Sequence, residues 1–447
     1  MNGRDRVIDA LRAYAIGGVV LGHWLVTALV LDADGTLHVA SPLAAMPGLA
    51  PVTWLLQTLG LFFFVSGYAA ARSLAGGPGG AARWWARRMG RLVLPILALL
   101  GIGSAVLLAA IVTGTPDATL AVALHLAISP LWFLLPLVAL SALIVPLRAA
   151  VRRWGPWRCV APAVVLVAAA DLAGRLLPAV PGRLPVALLA AWCVPWLLGL
   201  AHADGRLAGR RAGAALAGTG AVALAALFTL GYPASAVGVP GAAMSNLSPP
   251  SLVAVALAVA QVGLALLLRP AVRRLLARPA PARVVAAVNR SAMGVYLGHQ
   301  PVLVGVTALL AHAGLALPGL HTAPRDLLWV LARLCWLPVF AAVLLAMRRR
   351  PGRSPARDAD PAAPVPLIST DAPAGPVGTG APAGRGTAAG RVGRVGAGTP
   401  VDGVAQLTAF GGRAAGPGAV RRRAPAIPGG AAAPGGYRGP AGGRLGG

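Results

Sequence analysis

Residues 11–24 read LRAYAIGGVVLGHW and place Arg12 and His23 inside one apolar segment, with ten residues between them. Eleven steps of about 100° return the second side chain to within roughly 20° of the first, about 16 Å further along the same helical face. A charged or titratable group in a membrane segment costs on the order of 2.5 to 3.5 kcal/mol on insertion scales, so it is read first as a functional site. Asp9 lies one turn before Arg12, where it can orient or neutralise the guanidinium.

Composition sets this segment in a membrane. The chain has 447 residues, 57% hydrophobic and only 11% charged, too few to give a soluble core of this length a polar shell. All 39 basic residues are Arg, with no Lys and no Glu, a bias that resembles translation from the genome of a high-GC bacterium. The net charge of +27 therefore reflects codon usage and Arg-bearing loops, and with no basic-aromatic module present a nucleic-acid partner is excluded. Cys159, Cys193 and Cys335 are too scattered for a disulfide framework or a metal knuckle. The first apolar run continues to Leu31 without a small-residue cleavage site, which reads as a retained helix and not a signal peptide.

Apolar runs long enough to span, about 20 residues each, are expected near 7–31, 50–71, 92–113, 120–147, 159–174, 186–201, 212–231, 251–268, 284–312 and 327–347. The expected fold is an all-α polytopic integral membrane protein of about ten helices. Arg placement supports the alternation. Arg72 to Arg91, Arg148 to Arg158, Arg206 to Arg211, Arg269 to Arg283 and Arg348 to Arg350 fall on one side, against Arg175, Arg183 and Arg325 in the opposite loops. Both termini are thus expected in the cytoplasm, with the protein in the cell membrane. Residues 1–350 form the membrane domain in this reading. Residues 351–447, rich in Pro, Gly, Ala and Arg without hydrophobic periodicity, form a disordered tail.

Arg, ten residues, then His in the first helix resembles the acyltransferase-3 family of membrane acyltransferases, and four further segments agree in order: GLFFFVSGY with Ser66 and Gly67, RRMGRLVLP with Arg88 and Arg91, LWFLLPL with Trp132, and MGVYLGHQPVL with Tyr296 and His299. The resemblance covers about residues 4 to 347. It implies transfer of an acyl group, commonly acetyl, from cytoplasmic acyl-CoA to a hydroxyl or amine of an extracytoplasmic glycan, lipid-linked sugar or similar acceptor, with no bound cofactor. No appended soluble esterase-like domain, which some relatives carry, is expected from these residues, so a second transfer step in cis is not implied.

Imidazole titrates near neutrality and suits His23 to general base work on an acceptor hydroxyl. Arg12 stays charged and suits phosphate, pantetheine or a developing oxyanion, while snorkelling to the interface is its bland alternative. Arg88 and Arg91 are the expected anchors of the donor phosphates, balanced against ordinary positive-inside topology. His23 and His299 fall at similar depth from the cytoplasmic side, about 24 and 22 Å at 1.5 Å per residue, and Tyr296 shares a face with His299. Tyr296 and His299 are expected to orient the acceptor or His23, against simple interhelical hydrogen bonding. Ser66 and Gly67 support catalysis or merely close packing. In the uncharged loop 232–250, Ser245 and Asn246 of MSNLSPPS are candidates for the acceptor side, against a plain turn before a helix. His125, His202, His312 and His321 are read as packing residues. The rival class is a transporter or flippase with Arg12 and His23 on a substrate or proton path; such proteins often carry repeated halves, and no internal repeat is visible here. A non-catalytic scaffold is the third reading.

Overall fold

A computed structural model describes residues 5–76, 80–177 and 183–347. The expected tail at 351–447 lies outside the described residues.

The first helix, α1 (Arg6–Val26), starts at Asp5, whose carboxylate accepts from the Val7 amide at 3.0 Å and also pairs with Arg269. It ends five residues short of expectation. Residues 28–31 leave the helix as strand β1 (Ala28–Leu31), pairing antiparallel with β2 (Leu37–Ala40) from Ala28 opposite Ala40 to Leu31 opposite Leu37. The cause is local: a β-prone run meets Asp32-Ala33-Asp34-Gly35, and Gly35 takes a φ of 82° that other residues resist. Asp34 accepts from both the amide and the hydroxyl of Thr36, which holds its carboxyl below the usual carboxylate range. Among the described residues this hairpin is the one sheet beside the helices.

The chain continues through α2 (Pro42–Ala45), α3 (Ala50–Leu56), α4 (Leu59–Gly76), α5 (Gly80–Val112) and α6 (Asp117–Ile128). After a 3-10 turn at Ser129–Phe133 come α7 (Leu134–Ala142), α8 (Ile144–Trp154), α9 (Pro156–Leu176), α10 (Arg183–Ala203) and α11 (Gly209–Thr229). The last three are α12 (Leu252–Leu276), α13 (Pro279–His312) and α14 (Leu327–Ala346). Among the described residues nine helical stretches are long and apolar enough to cross a membrane. α1 is not one of them, because Asp9, Arg12 and His23 lower its hydropathy.

Two boundaries differ from expectation for one reason. Arg is a good helix former whose stem lies along apolar surface, so α5 begins at Gly80 rather than 92 and carries Arg83 to Arg91 on helix, while α12 runs on through Arg273 and Arg274. The expected single helix at 120–147 is instead broken, since Pro130 forces the 3-10 turn.

The main core is built on α4 and α10. Phe63, Phe64, Trp192, Trp196 and Leu197 are buried there, with Phe63 stacked on Trp192 at 5.2 Å. The two helices touch backbone to backbone: a Cβ on Gly67 would strike the Trp196 carbonyl, and one on Gly199 the Phe64 carbonyl. A second core joins α1, α13 and α14 through Ile16, Val20, Trp24, Leu303 and Phe340. By contrast, the apolar stretch of α5 has no buried residue, as expected of a helix solvated by lipid.

The end of the molecule where α1 begins is tied by Arg. Asp204, after α10, accepts from Arg148 at 2.6 Å and from Arg152 at 2.9 Å. Burial opposes ionisation of Asp204, yet the hydrogen bonds and charges of Arg152 and Arg148 outweigh it and hold the carboxyl down at about 2. His202 takes its place in the same tie, its Nδ1 against the Leu207 carbonyl at 2.8 Å and its Nε2 against Arg269 at 2.7 Å.

Candidate active site

His23 sits one turn before the end of α1, and His299 near the middle of α13. His299 is fully buried, His23 half-buried. Their rings approach to 4.9 Å between centroids, and His299 Nε2 lies 2.9 Å from His23 Nδ1.

The partners fix the protons. His299 Nδ1 faces the Tyr296 carbonyl, which only accepts, so Nδ1 carries the hydrogen and Nε2 of the neutral ring is bare. That bare nitrogen accepts from Nδ1–H of His23. His23 Nε2 is therefore left as a lone pair, and it meets no hydrogen-bond partner among the described residues. A backbone carbonyl thus orders two imidazoles and presents one base.

The surrounding groups hold this chain in place. The Trp24 indole donates to the His299 carbonyl at 2.9 Å, clamping α1 to α13. Tyr296 packs its ring edge-on against Phe133 at 4.6 Å and gives its hydroxyl to the Pro130 carbonyl at 2.5 Å. Pro130 owes that role to the broken helix, whose turn turns a carbonyl toward α13. The Tyr296 hydroxyl is thereby occupied, and its backbone is what serves His299.

About 16 Å back along α1 lies a cationic group. Arg12 and Arg91 stand close enough to Arg88 to act on it electrostatically. Arg88 is oriented by two contacts, Nε donating to Ser141 Oγ at 3.2 Å and the guanidinium resting 5.5 Å from the Trp84 ring centroid. Nearby, Asn289 of α13 donates to the Asp9 carbonyl at 2.8 Å. Three guanidinium groups from α1 and α5 gather at one end of the helix that carries the imidazole at the other, an arrangement that fits phosphates below and a reacting carbonyl above.

The remaining candidates lie elsewhere. Ser66 is buried on α4 beside the close contact at Gly67. Asn246 is fully buried and spends its groups inside its own loop, donating to the carbonyls of Pro233 and Ser235 and accepting from Ser251. Ser245 accepts from the amides of Leu247 and Ser248 and lines a cavity of about 160 Å³ with Asp171, Arg175 and Tyr232, to which α1 and α13 contribute no residue. In that cavity burial and the neighbouring Asp171 push the Tyr232 phenol up to about 12.

A larger groove, about 520 Å³, opens beside the hairpin at the end of α1 that bears His23. It is lined by Val30, Leu31, Gly319, Thr322, Arg325 and Trp329, among others. Sequence reasoning passed over Trp24, Asn289 and Arg333; the last lies in the apolar run LLWVLARLCWLPVF, where a charge is as costly as at Arg12. Among the described residues no cluster of three His, Cys, Asp or Glu is placed to hold a metal.

A family model described as an acyltransferase domain matches residues 5–347. No curated protein and no solved structure matches the chain.

Proposed function

The chain belongs to the acyltransferase-3 family and is an integral membrane acyltransferase, and we propose that it moves an acetyl group from cytoplasmic acetyl-CoA to a hydroxyl of an extracytoplasmic glycan or lipid-linked sugar. The observation that carries this reading is the bare Nε2 of His23, held by the His299 to Tyr296 chain about 16 Å from the group Arg12, Arg88 and Arg91.

In this reading the three arginines hold the donor phosphates. An extended pantetheine arm covers the distance to His23 and delivers the thioester there. His23 Nε2 takes the proton of the acceptor hydroxyl as its oxygen attacks the thioester carbon, the C–S bond breaks, and the coenzyme thiolate leaves and recovers a proton from the imidazolium. His299 keeps His23 in the required tautomer, and Tyr296 acts through its carbonyl. The positive-inside rule puts the arginines, and both chain termini, on the cytoplasmic side. The groove beside the hairpin then faces outward, where its open Arg325 and Thr322 suit a hydroxyl-rich acceptor. Ser245 and Asn246 hold their own loop, and Ser66 lies in the packing of α4 on α10, away from this path.

The test uses sealed membrane vesicles carrying the native protein or His23→Ala, with radiolabelled acetyl-CoA on the cytoplasmic side and an extract of envelope glycans on the other. Label that reaches glycan only with native protein supports the reading. Equal labelling by both proteins removes His23 from the mechanism.

A further inference from the structure

We propose that Arg333 is a positioning residue for the His23–His299 pair, an inference that rests on the reading of His23 as the base. Arg333 lies on α14 and is 0% exposed. Its guanidinium meets no carboxylate among the described residues. Nε donates to the Trp24 carbonyl at 2.6 Å, Nη2 to the Thr27 carbonyl at 2.6 Å, and Nη1 to the Gly319 carbonyl at 3.1 Å. The rings of Phe340 and Trp329 flank it at 5.1 and 5.6 Å.

Two of those carbonyls belong to the end of α1. The last carbonyls of a helix lack partners within it and carry the negative end of its dipole, so the helix terminus itself is the counter-charge. Only a planar fork of several N–H groups reaches three carbonyls from three directions at once.

The consequence falls on the catalytic pair. His23 precedes Trp24, and its own carbonyl accepts from the Thr27 amide at 3.0 Å, within the turn that Arg333 holds. The Trp24 indole then reaches the His299 carbonyl. One guanidinium thus fixes the Trp24 backbone, and Trp24 fixes α13, so both imidazoles hang on the same bracket. Stability is one reason for it, since an apolar side chain would leave these carbonyls without their donor. Holding the depth and rotation of His23 is a second reason.

The full-length protein in detergent is compared as native, Arg333→Met and Arg333→Lys, each also in a His299→Phe background, by hydrogen exchange of the last turn of α1 and by acetyl transfer from acetyl-CoA. Arg333→Met is expected to speed exchange at Thr27 and its neighbours while α4 and α10 exchange as in the native protein. Its kcat falls about 10²-fold, the usual scale for a misplaced catalytic group, with the donor KM within about twofold. Arg333→Lys recovers part of that loss. In the His299→Phe background the same Met substitution costs less than about threefold, because the pair it positions is already broken.

Native-like exchange at the end of α1 in Arg333→Met overturns the proposal whether or not transfer is detected. Faster exchange with native kcat overturns it too, as does a loss fully multiplicative with His299→Phe. Equal transfer by native protein and His23→Ala removes the base and with it the catalytic consequence. The exchange data tell that result apart from a failure of the clamp.

Discussion

His299 Nε2 lies 2.9 Å from His23 Nδ1, and the Tyr296 carbonyl behind His299 decides which of the two nitrogens holds the hydrogen. Orientation and tautomer of the proposed base, His23, are set by one backbone oxygen, in the way a carboxylate sets them in a catalytic triad. His23→Ala is therefore expected to lower kcat by about 10³-fold, within the usual range for loss of general base catalysis. His299→Phe, which leaves the base present but free to turn, should cost about 10²-fold. Steady-state acetyl transfer measures both, and a His299→Phe protein as active as native would dismiss the chain.

Arg91 affects binding more than chemistry in the same scheme. Arg91→Ala should raise the donor KM about tenfold and change kcat by less than about threefold, since a phosphate contact is made equally before and during reaction. Arg88→Ala should additionally lower thermal stability, because Arg88 also holds Ser141 and Trp84. A fall in kcat for Arg91→Ala at unchanged KM would move Arg91 from the donor to the reacting centre.

Close packing of α4 on α10 sets a third expectation. Gly199→Leu drives a side chain into the Phe64 carbonyl, a backbone atom that cannot swing aside. The cost should be about 3 kcal/mol or more, visible as loss of monodisperse protein in detergent. A stable Gly199→Leu protein would contradict the contact.

The Asp204 tie gives a pH dependence of defined sign. Its carboxyl titrates at about 2 in the folded protein against an ordinary 3.8, so the stability it contributes is present above about pH 4 and lost as pH falls toward 2. Arg152 is 56% exposed, which screens part of the attraction, and the contribution is about 1 kcal/mol. Thermal unfolding of native and Asp204→Asn proteins should differ at pH 7 and converge as the acid limit is approached. A gap that widens on acidification would reverse the assignment.

The sequence foretold the helices well because a membrane span is a matter of length and apolarity, which need no neighbours to be read. It misjudged the end of α1, where the turn at Asp32 to Gly35 and the grip of Arg333 stop the helix at Val26. It also misjudged the start of α5, because arginines counted as loop residues are good helix formers. Within the site, the depth of His23 and His299 was legible from helical rise alone. Their contact through particular nitrogens was not, since it depends on the Tyr296 carbonyl and the Trp24 indole. Arg333 carries the same cost in its apolar run as Arg12, but its role was not legible, since no spacing shows that its guanidinium meets the carbonyls of Trp24, Thr27 and Gly319.

The chain from His23 through His299 to the Tyr296 carbonyl has a second property. A peptide oxygen can receive a hydrogen bond but passes no proton onward, so the chain is a blind alley for charge. In the proposed reaction a proton taken up at His23 therefore finds no onward carrier along this chain, and it returns to the leaving thiolate.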